Sequence, residues 1–196
     1  MDVPTKNSGD LDEFYIQALL LSKVVTRLLK KQGDIDLYKK PAIAKHPITE
    51  FAGRMRVTGV TKFEYKTYIS VVNFYLTDQD KDKNKALGAI IIYICENYIV
   101  DLLKKLGYPV VDEDDEDALE DAIGTFCNLI AGNFKAGLTQ LGYKELAMSH
   151  FLAYQNDILN GIAYDKTQTE LYELTFTIKG EKWIVIDYTM GPIPQV

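Results

Sequence analysis

The spacing of apolar residues changes period several times along the chain, and the order of these changes constrains the fold more than any other sequence feature. Residues 11–32 repeat apolar side chains every three or four positions, which predicts an amphipathic helix. Residues 54–76 are rich in aromatic and β-branched residues and predict two strands paired as a hairpin. Two helical patterns follow in succession. Residues 172–178 then alternate, residues 179–182 predict a turn, and the apolar run 183–186 completes a second hairpin. Helices grouped in this way favour an α+β fold over a doubly wound nucleotide-binding fold.

Each helical pattern has recognisable ends. Asp10 is a candidate N-cap of the first helix, and Gly33 follows two lysines that favour its C-terminal dipole. The second pattern covers residues 86–106, although a run of isoleucines near its start favours strand locally. The third begins within the acidic stretch 112–117 and runs to Leu141.

Length and composition predict a single domain. The chain has 196 residues, of which 47% are hydrophobic, and no shift in composition marks a boundary. Residues 1–10 are polar and predict a flexible N-terminus, so the domain covers residues 11–196. Residues 34–53 predict loop with a short edge strand. The predicted architecture is a largely antiparallel sheet packed with two long helices and an N-terminal helix.

Charge and hydropathy exclude several classes of partner. The net charge of −6 argues against nucleic acid, whose phosphates require clustered Lys and Arg. The longest apolar run, Ala86 to Cys95, is shorter than the ~20 residues of a membrane span, and the N-terminus lacks a signal-peptide pattern. Two cysteines rule out a disulfide scaffold and fit a reducing compartment. We therefore expect a cytoplasmic protein without a membrane partner.

Isolated reactive residues favour structural roles. His46 and His150 lie far apart in the sequence without a second ligand nearby, so neither predicts a metal site. Cys95 and Cys127 fall on inward-facing helical positions, where a buried thiol is expected to be inert. The acidic run 112–117 lacks the central Gly of a Ca²⁺ loop and is favourable as a helix N-terminus.

The third helical pattern separates an apolar face from a polar stripe of small residues. With ~100° per residue, the apolar face centres on Ile130 and includes Leu119, Ile123, Phe126, Cys127, Phe134 and Leu141. Gly137 lies near the centre of this face, which predicts close packing against the sheet or a neighbouring helix. The opposite side, which we call the polar stripe, comprises Asp121, Thr125, Asn128, Gly132, Lys135 and Thr139.

The middle of the polar stripe has Thr, Asn and Gly, although Lys and Glu are better helix formers for an exposed surface. This inconsistency is typical of a surface that receives the backbone of a partner closely. The alternative is a stripe that packs against another element of the same chain or against a second subunit.

Residues 121–138 resemble the signature helix of the CheC/CheX/FliY chemotaxis phosphatases, above all the CheX branch. That helix reads roughly Asp-Ala-Ile-Gly-Glu-x-x-Asn-Met-Ile-Ala-Gly-Asn, and this chain reads Asp-Ala-Ile-Gly-Thr-Phe-Cys-Asn-Leu-Ile-Ala-Gly-Asn. Asp121 and Asn128 match the first acidic residue and the Asn of the motif. The chain departs from the motif at Thr125, where the family has Glu, and at Phe151, where it has Pro. The resemblance implies a CheC/CheX-like fold.

The resemblance also implies an activity, removal of the phosphoryl group from the aspartyl phosphate of a CheY-type receiver domain. Asn128 would hold a water in line with the scissile P–O bond, since its carboxamide both donates and accepts. Asp121, Thr125, Gly132 and Lys135 would contact the receiver. The chain needs no cofactor of its own, because the receiver would carry Mg²⁺.

Three functions remain open at this point. The first is a receiver-binding domain with weak phosphatase activity. The resemblance implies that the family's Glu forms an ion pair with a Lys of the receiver, which Thr125 cannot form. Loss of such a contact costs ~2–5 kcal/mol. The second is a receiver-binding adaptor without catalysis. The third is an assembly domain of the same fold, similar to flagellar-switch relatives. The resemblance further implies a homodimer through a sheet edge, which residues 54–76 or 171–188 could supply.

Overall fold

The computed structural model describes residues 12–109 and 114–196. Helices and strands are mixed along these residues, as an α+β fold requires. Helices occupy four of the described segments: α1 (Glu13–Gly33), α2 (Asp78–Asp82), α3 (Glu96–Lys105) and α4 (Glu116–Gln140). The described strands are β1 (Ala42–Pro47), β2 (Glu50–Phe51), β3 (Arg54–Thr58), β4 (Thr67–Tyr75), β5 (Gly88–Cys95), β6 (Ala147–Met148), β7 (Leu152–Gln155), β8 (Ile158–Ile162), β9 (Glu170–Ile178) and β10 (Glu181–Met190).

The N-terminal helix follows the predicted pattern, with a different cap. The Asp12 carboxylate accepts a hydrogen bond from the Phe14 amide at 3.1 Å, so Asp12 is the N-cap. Asp10, the predicted cap, lies outside the described residues, as does the predicted flexible segment 1–10. The helix ends at Gly33, and Asp34 follows in a left-handed conformation with φ 46°.

The large sheet is antiparallel throughout. Its strand order is β1–β9–β10–β5–β4, and both β6 and β7 pair with the outer edge of β4. The strands β9 and β10 form the predicted C-terminal hairpin. Helices α1, α3 and α4 cover one face of the sheet and bury the main core with it.

The prediction of a helix over residues 86–106 is wrong in its first half. Gly88–Cys95 forms the central strand β5, and only Glu96–Lys105 is helical. Ile90 and Ile92 face the main core, whereas Ile91 faces a second core on the other side of the sheet. Because both faces are buried, the strand has a continuous apolar run without alternation. The two long helices are therefore α1 and α4.

The predicted hairpin over residues 54–76 is also wrong. Strand β3 belongs to a separate three-stranded sheet of order β2–β3–β8, whereas β4 belongs to the large sheet. The small sheet covers the second core, where Met55 and Val57 pack with Ile91 and Val185.

The strands that we expected to supply a dimer edge are interior strands. Strand β4 lies between β5 and the β6–β7 segment, and β9 and β10 are each paired on both sides. In the part of the chain that the structure describes, β1 is the strand at the other edge of the large sheet. A homodimer through a sheet edge remains a prediction; the described edges are β1 and β6–β7 in the large sheet and β2 and β8 in the small sheet.

Within the described ranges, no helix combines the length and the apolar character that crossing a membrane would require. Over the same ranges, no group of three or more His, Cys, Asp or Glu side chains is arranged to hold a metal ion.

Candidate functional site

Helix α4 is anchored at its N-terminus by one local hydrogen bond and by one contact with a distant part of the chain. The Asp115 carboxylate accepts a hydrogen bond from the Ala118 amide at 3.1 Å. The Glu116 carboxylate lies 2.5 Å from the Lys66 ammonium. This hydrogen bond lowers the pKa of Glu116 and raises the pKa of Lys66.

The apolar face of α4 is buried as predicted, with one exception. Ile130 and Phe134 are fully buried against the sheet and α1. Leu141, which the wheel placed on this face, is 50% exposed because the helix ends at Gln140. A Cβ on Gly137 would lie 3.1 Å from Leu20 of α1, so this glycine allows the predicted close packing of two helices.

The polar stripe of α4 faces solvent over most of its length. Asp121 and Thr125 are exposed, and a Cβ on Gly132 would meet no atom within 4 Å. Lys135 forms an ion pair of 3.1 Å with Glu145. The stripe therefore presents small or polar side chains to an approaching partner at these positions, and their contact with a receiver remains a prediction.

Asn128 is a half-buried member of the polar stripe. Its amide oxygen Oδ1 is inaccessible to solvent and accepts no hydrogen bond from the residues that the structure describes. Such a buried acceptor is unusual, because polar atoms that lose water are normally paired. Oδ1, the atom that would accept a hydrogen bond from an attacking water, is therefore not at the protein surface.

Phe151 lies directly against α4 one helical turn from Asn128. A Cβ on Gly124 would overlap the Phe151 ring, so the ring rests on the helix backbone at that point. Hydrogen bonds fix the chain on both sides of Phe151: the Ser149 amide donates to the Asn73 carbonyl at 2.9 Å, and the Ser70 hydroxyl donates to the Leu152 carbonyl at 3.1 Å.

The sequence identifies Phe151 as a departure from the family motif, but it does not predict this contact. The available signal is Gly124 itself, since a glycine inside a helix costs stability and often marks a close approach.

The cysteines are buried, as predicted. Cys127 is fully buried, and burial raises the pKa of its thiol to about 12. Burial also raises the pKa of Cys95. Because a thiolate is the nucleophilic form, neither side chain is suited to covalent catalysis.

Comparison with known proteins identifies the fold through solved structures alone. No protein-family profile and no curated protein matches the sequence. The chemotaxis protein CheX from Vibrio vulnificus is 15% identical with a TM-score of 0.58, and the match covers 89% of this chain and 99% of that one. The chain has the CheC/CheX/FliY fold.

Two further structures extend this likeness within the CheC/CheX/FliY fold. The CheX–CheY–BeF3–Mg²⁺ complex from Borrelia burgdorferi matches with 14% identity and a TM-score of 0.50, over 93% of this chain and 100% of that one. FliY from Thermotoga maritima matches with 12% identity and a TM-score of 0.50, over 87% of this chain and 84% of that one. The predicted α+β architecture is thus confirmed. At sequence identities this low, the similarity shows a shared fold and nothing further.

Proposed function

We propose that this chain is a CheX-like signalling domain that binds the phosphorylated receiver domain of a CheY-type response regulator, and that it hydrolyses the aspartyl phosphate weakly. The observation that carries this proposal is the exposed polar stripe of α4, with open space at Gly132 beside exposed Asp121 and Thr125. The CheX–CheY complex among the structural neighbours supports a CheY-type partner.

The residues of the polar stripe have different roles in binding and in catalysis. Gly132 lets the receiver backbone approach the helix, and Asp121 offers a carboxylate to a receiver cation one turn before Thr125. Lys135 first has to exchange its ion pair with Glu145 for a receiver contact. Asn128 orients the attacking water, while the receiver carries Mg²⁺ and the phosphoryl group.

Two features of the site limit the rate of hydrolysis. Thr125 has no charge to pair with a receiver Lys, so the two proteins lose one contact that aligns them. The acceptor Oδ1 of Asn128 is buried, and rotation of the amide by about 180° is required to bring it to the surface. The Phe151 ring lies one turn away, against Gly124.

A second candidate function is a receiver-binding adaptor without catalysis. The buried and unbonded Oδ1 of Asn128 favours it, because an amide held in that orientation cannot accept a hydrogen bond from water. Both candidates share the binding surface, so catalysis alone distinguishes them.

The test measures phosphate release from a phosphorylated CheY with the wild-type chain and three variants. We expect the wild type to accelerate the decay several-fold, Asn128→Ala to abolish the acceleration and Thr125→Glu to increase it. Gln140→Glu is the matched control, since it places the same charge at an exposed position outside the polar stripe, about 22 Å further along the helix axis, and should leave the rate unchanged.

Two results would contradict the proposal in different ways. Absence of binding to the phosphorylated receiver in a titration calorimeter would refute receiver recognition by this fold. Binding with a decay rate that neither Asn128→Ala nor Thr125→Glu changes would refute the catalytic part and leave the adaptor.

A further inference from the structure

A surface cleft of about 630 Å³ lies away from α4, and none of its lining residues takes part in the proposed function. It is lined by the β2–β3 turn at residues 52–54, the connection between α2 and β5, residues 163–166, and the side chains of Leu76 and Asp80. A volume of this size lies within the range of ~300–1,000 Å³ that small-molecule sites occupy.

Three cationic side chains from distant parts of the sequence converge on this cleft: Arg54, Lys85 and Lys166. In the ranges 12–109 and 114–196, none of them has a carboxylate within 4.0 Å. Arg54 is half-buried, and a partly desolvated guanidinium is normally paired with an anion.

The carboxylates of the cleft are already engaged by neutral donors. Asp80 accepts a hydrogen bond from the Thr77 hydroxyl at 2.6 Å, and Asp165 accepts one from the Thr167 amide at 2.8 Å. Both carboxylates keep their negative charge, so three cationic and two anionic side chains line the cleft and its net charge is positive. Like charges that gather in one place destabilise the free protein, which is the kind of local conflict expected at a binding site.

The β2–β3 turn brings one of these cations over the backbone. Ala52 and Gly53 both have positive φ, 50° and 73°, as a tight hairpin turn requires. A Cβ on Gly53 would lie 2.7 Å from the Lys166 ammonium, so the missing side chain makes room for that charge. Lys166 is thereby held at the same end of the hairpin as Arg54.

The floor of the cleft is apolar. It is formed by four aliphatic side chains and one aromatic ring, contributed by Leu76, Ala86, Leu87, Ala163 and Tyr164. The Tyr164 hydroxyl donates to the Glu50 carboxylate at 2.6 Å, which fixes the orientation of the ring. The cleft therefore combines a cationic group with a flat apolar surface.

We propose that this cleft binds an organic phosphate of the nucleotide class, with its phosphates among Arg54, Lys85 and Lys166 and its ring on the apolar floor. Phosphate oxygens satisfy a guanidinium and two ammonium groups together, and they replace the missing carboxylate partners. The ring buries apolar surface of Leu76 and Tyr164. This site is independent of receiver binding, because no residue of the polar stripe lines it.

The experiment titrates the purified chain with ATP, with inorganic tripolyphosphate and with adenosine, each followed by isothermal calorimetry. We expect ATP to bind most tightly, tripolyphosphate more weakly and adenosine most weakly. Arg54→Gln should weaken ATP binding at least tenfold. Arg56→Gln is the matched control on the same strand, since Arg56 bonds Asn160 and does not line the cleft.

Lys166→Gln provides a second test that does not depend on the fold of the Arg54 variant, because Lys166 is an exposed side chain. It should also weaken ATP binding, and higher salt should weaken binding to the wild type. The proposal is overturned if ATP at millimolar concentration does not bind, if tripolyphosphate binds as tightly as ATP, or if Arg56→Gln weakens binding as much as Arg54→Gln.

Discussion

Asn128 projects from α4 with its amide oxygen out of contact with solvent and without a hydrogen-bond partner among the described residues. An unsatisfied buried acceptor costs about 1–3 kcal/mol, so its presence on an otherwise solvated stripe requires a physical reason. The Phe151 ring occupies the helix surface at Gly124, one turn away, and we expect it to restrict the Asn128 amide. In the proposed function, the same contact limits how the Asn128 amide can turn toward a water.

Removal of the Phe151 ring should release the Asn128 amide. We expect Phe151→Ala to increase phosphate release from a phosphorylated receiver several-fold, and the double variant with Asn128→Ala to abolish the increase. Leu152→Ala is the control, since Leu152 is the next residue in the chain and is 57% exposed.

A measurement without the receiver distinguishes this prediction from the proposed function. The side-chain amide protons of Asn128 should show altered chemical shifts and solvent exchange in the nuclear magnetic resonance spectrum of Phe151→Ala. If both these signals and the rate stay unchanged, Phe151 does not control the amide.

Helix α4 contains glycines in three different environments, and the neighbours of each one determine its role. Gly124 lies under the Phe151 ring, Gly137 lies against Leu20 of α1, and Gly132 faces open space. Glycine inside a helix is less favourable than alanine by about 0.8–1.0 kcal/mol, so each position carries the same intrinsic cost. At Gly124 and Gly137 that cost is offset by close packing, whereas at Gly132 packing within the chain offsets nothing.

Alanine substitutions should therefore have opposite effects on stability at two of these positions. Gly132→Ala should raise the free energy of unfolding by about 0.5–1 kcal/mol, because its Cβ meets no atom. Gly124→Ala should lower it by about 1–3 kcal/mol, because the Cβ displaces the Phe151 ring. Urea denaturation measures both values.

The Phe151→Ala background is the control for this pair. There, Gly124→Ala should become stabilising, since the ring that it would overlap is absent. A destabilising effect that persists in that background would show that the conflict involves another group.

Besides the two apolar cores, polar contacts connect elements of the molecule that are remote in sequence. Asp12 caps α1, and its carboxylate also accepts a hydrogen bond from the Tyr172 hydroxyl of β9 at 2.5 Å. The same carboxylate forms an ion pair of 2.8 Å with Lys45 of β1. On the other face of the sheet, the Lys62 ammonium binds the buried Asp187 carboxylate at 2.8 Å. These contacts fasten α1 and the segment after β3 to opposite faces of the large sheet.

The Asp12 contacts predict a loss of stability in acid. The hydrogen bonds from Lys45 and Tyr172 lower the pKa of Asp12 below its ordinary value. A carboxyl whose folded-state pKa is lowered stabilises the fold above its unfolded-state pKa of about 3.9, and this contribution is lost as pH falls through the folded-state pKa. Asp12→Asn should therefore flatten the decline in stability below about pH 4, while it keeps a side chain that can cap α1.

Chemical denaturation at a series of pH values tests this prediction. Asp101→Asn is the control, because Asp101 lies exposed on α3. Equal pH dependence of the wild type and Asp12→Asn would show that the carboxylate contributes nothing to acid stability.

Local periodicity was sufficient for α1 and α4, since each has one buried face whose period is visible in the sequence. The β9–β10 hairpin was predicted from the alternation in β9 and the turn that follows it. It was insufficient for β5. The residues from Gly88 to Cys95 are buried on both faces by two cores, so their pattern has no period to read. Likewise, the separation of β3 from β4 into two sheets depends on pairing with β8, about a hundred residues further along the chain.

The sequence by itself determined the polar stripe of α4, because the direction of each side chain on a helix follows from its position in the helix. Asp121, Thr125 and Gly132 accordingly lie exposed or open. Tertiary structure alone placed Phe151 against Gly124, because the β6–β7 segment that carries Phe151 reaches α4 through its pairing with β4. It likewise decided the cleft at Arg54, whose cations come from three segments that meet only when both sheets are assembled.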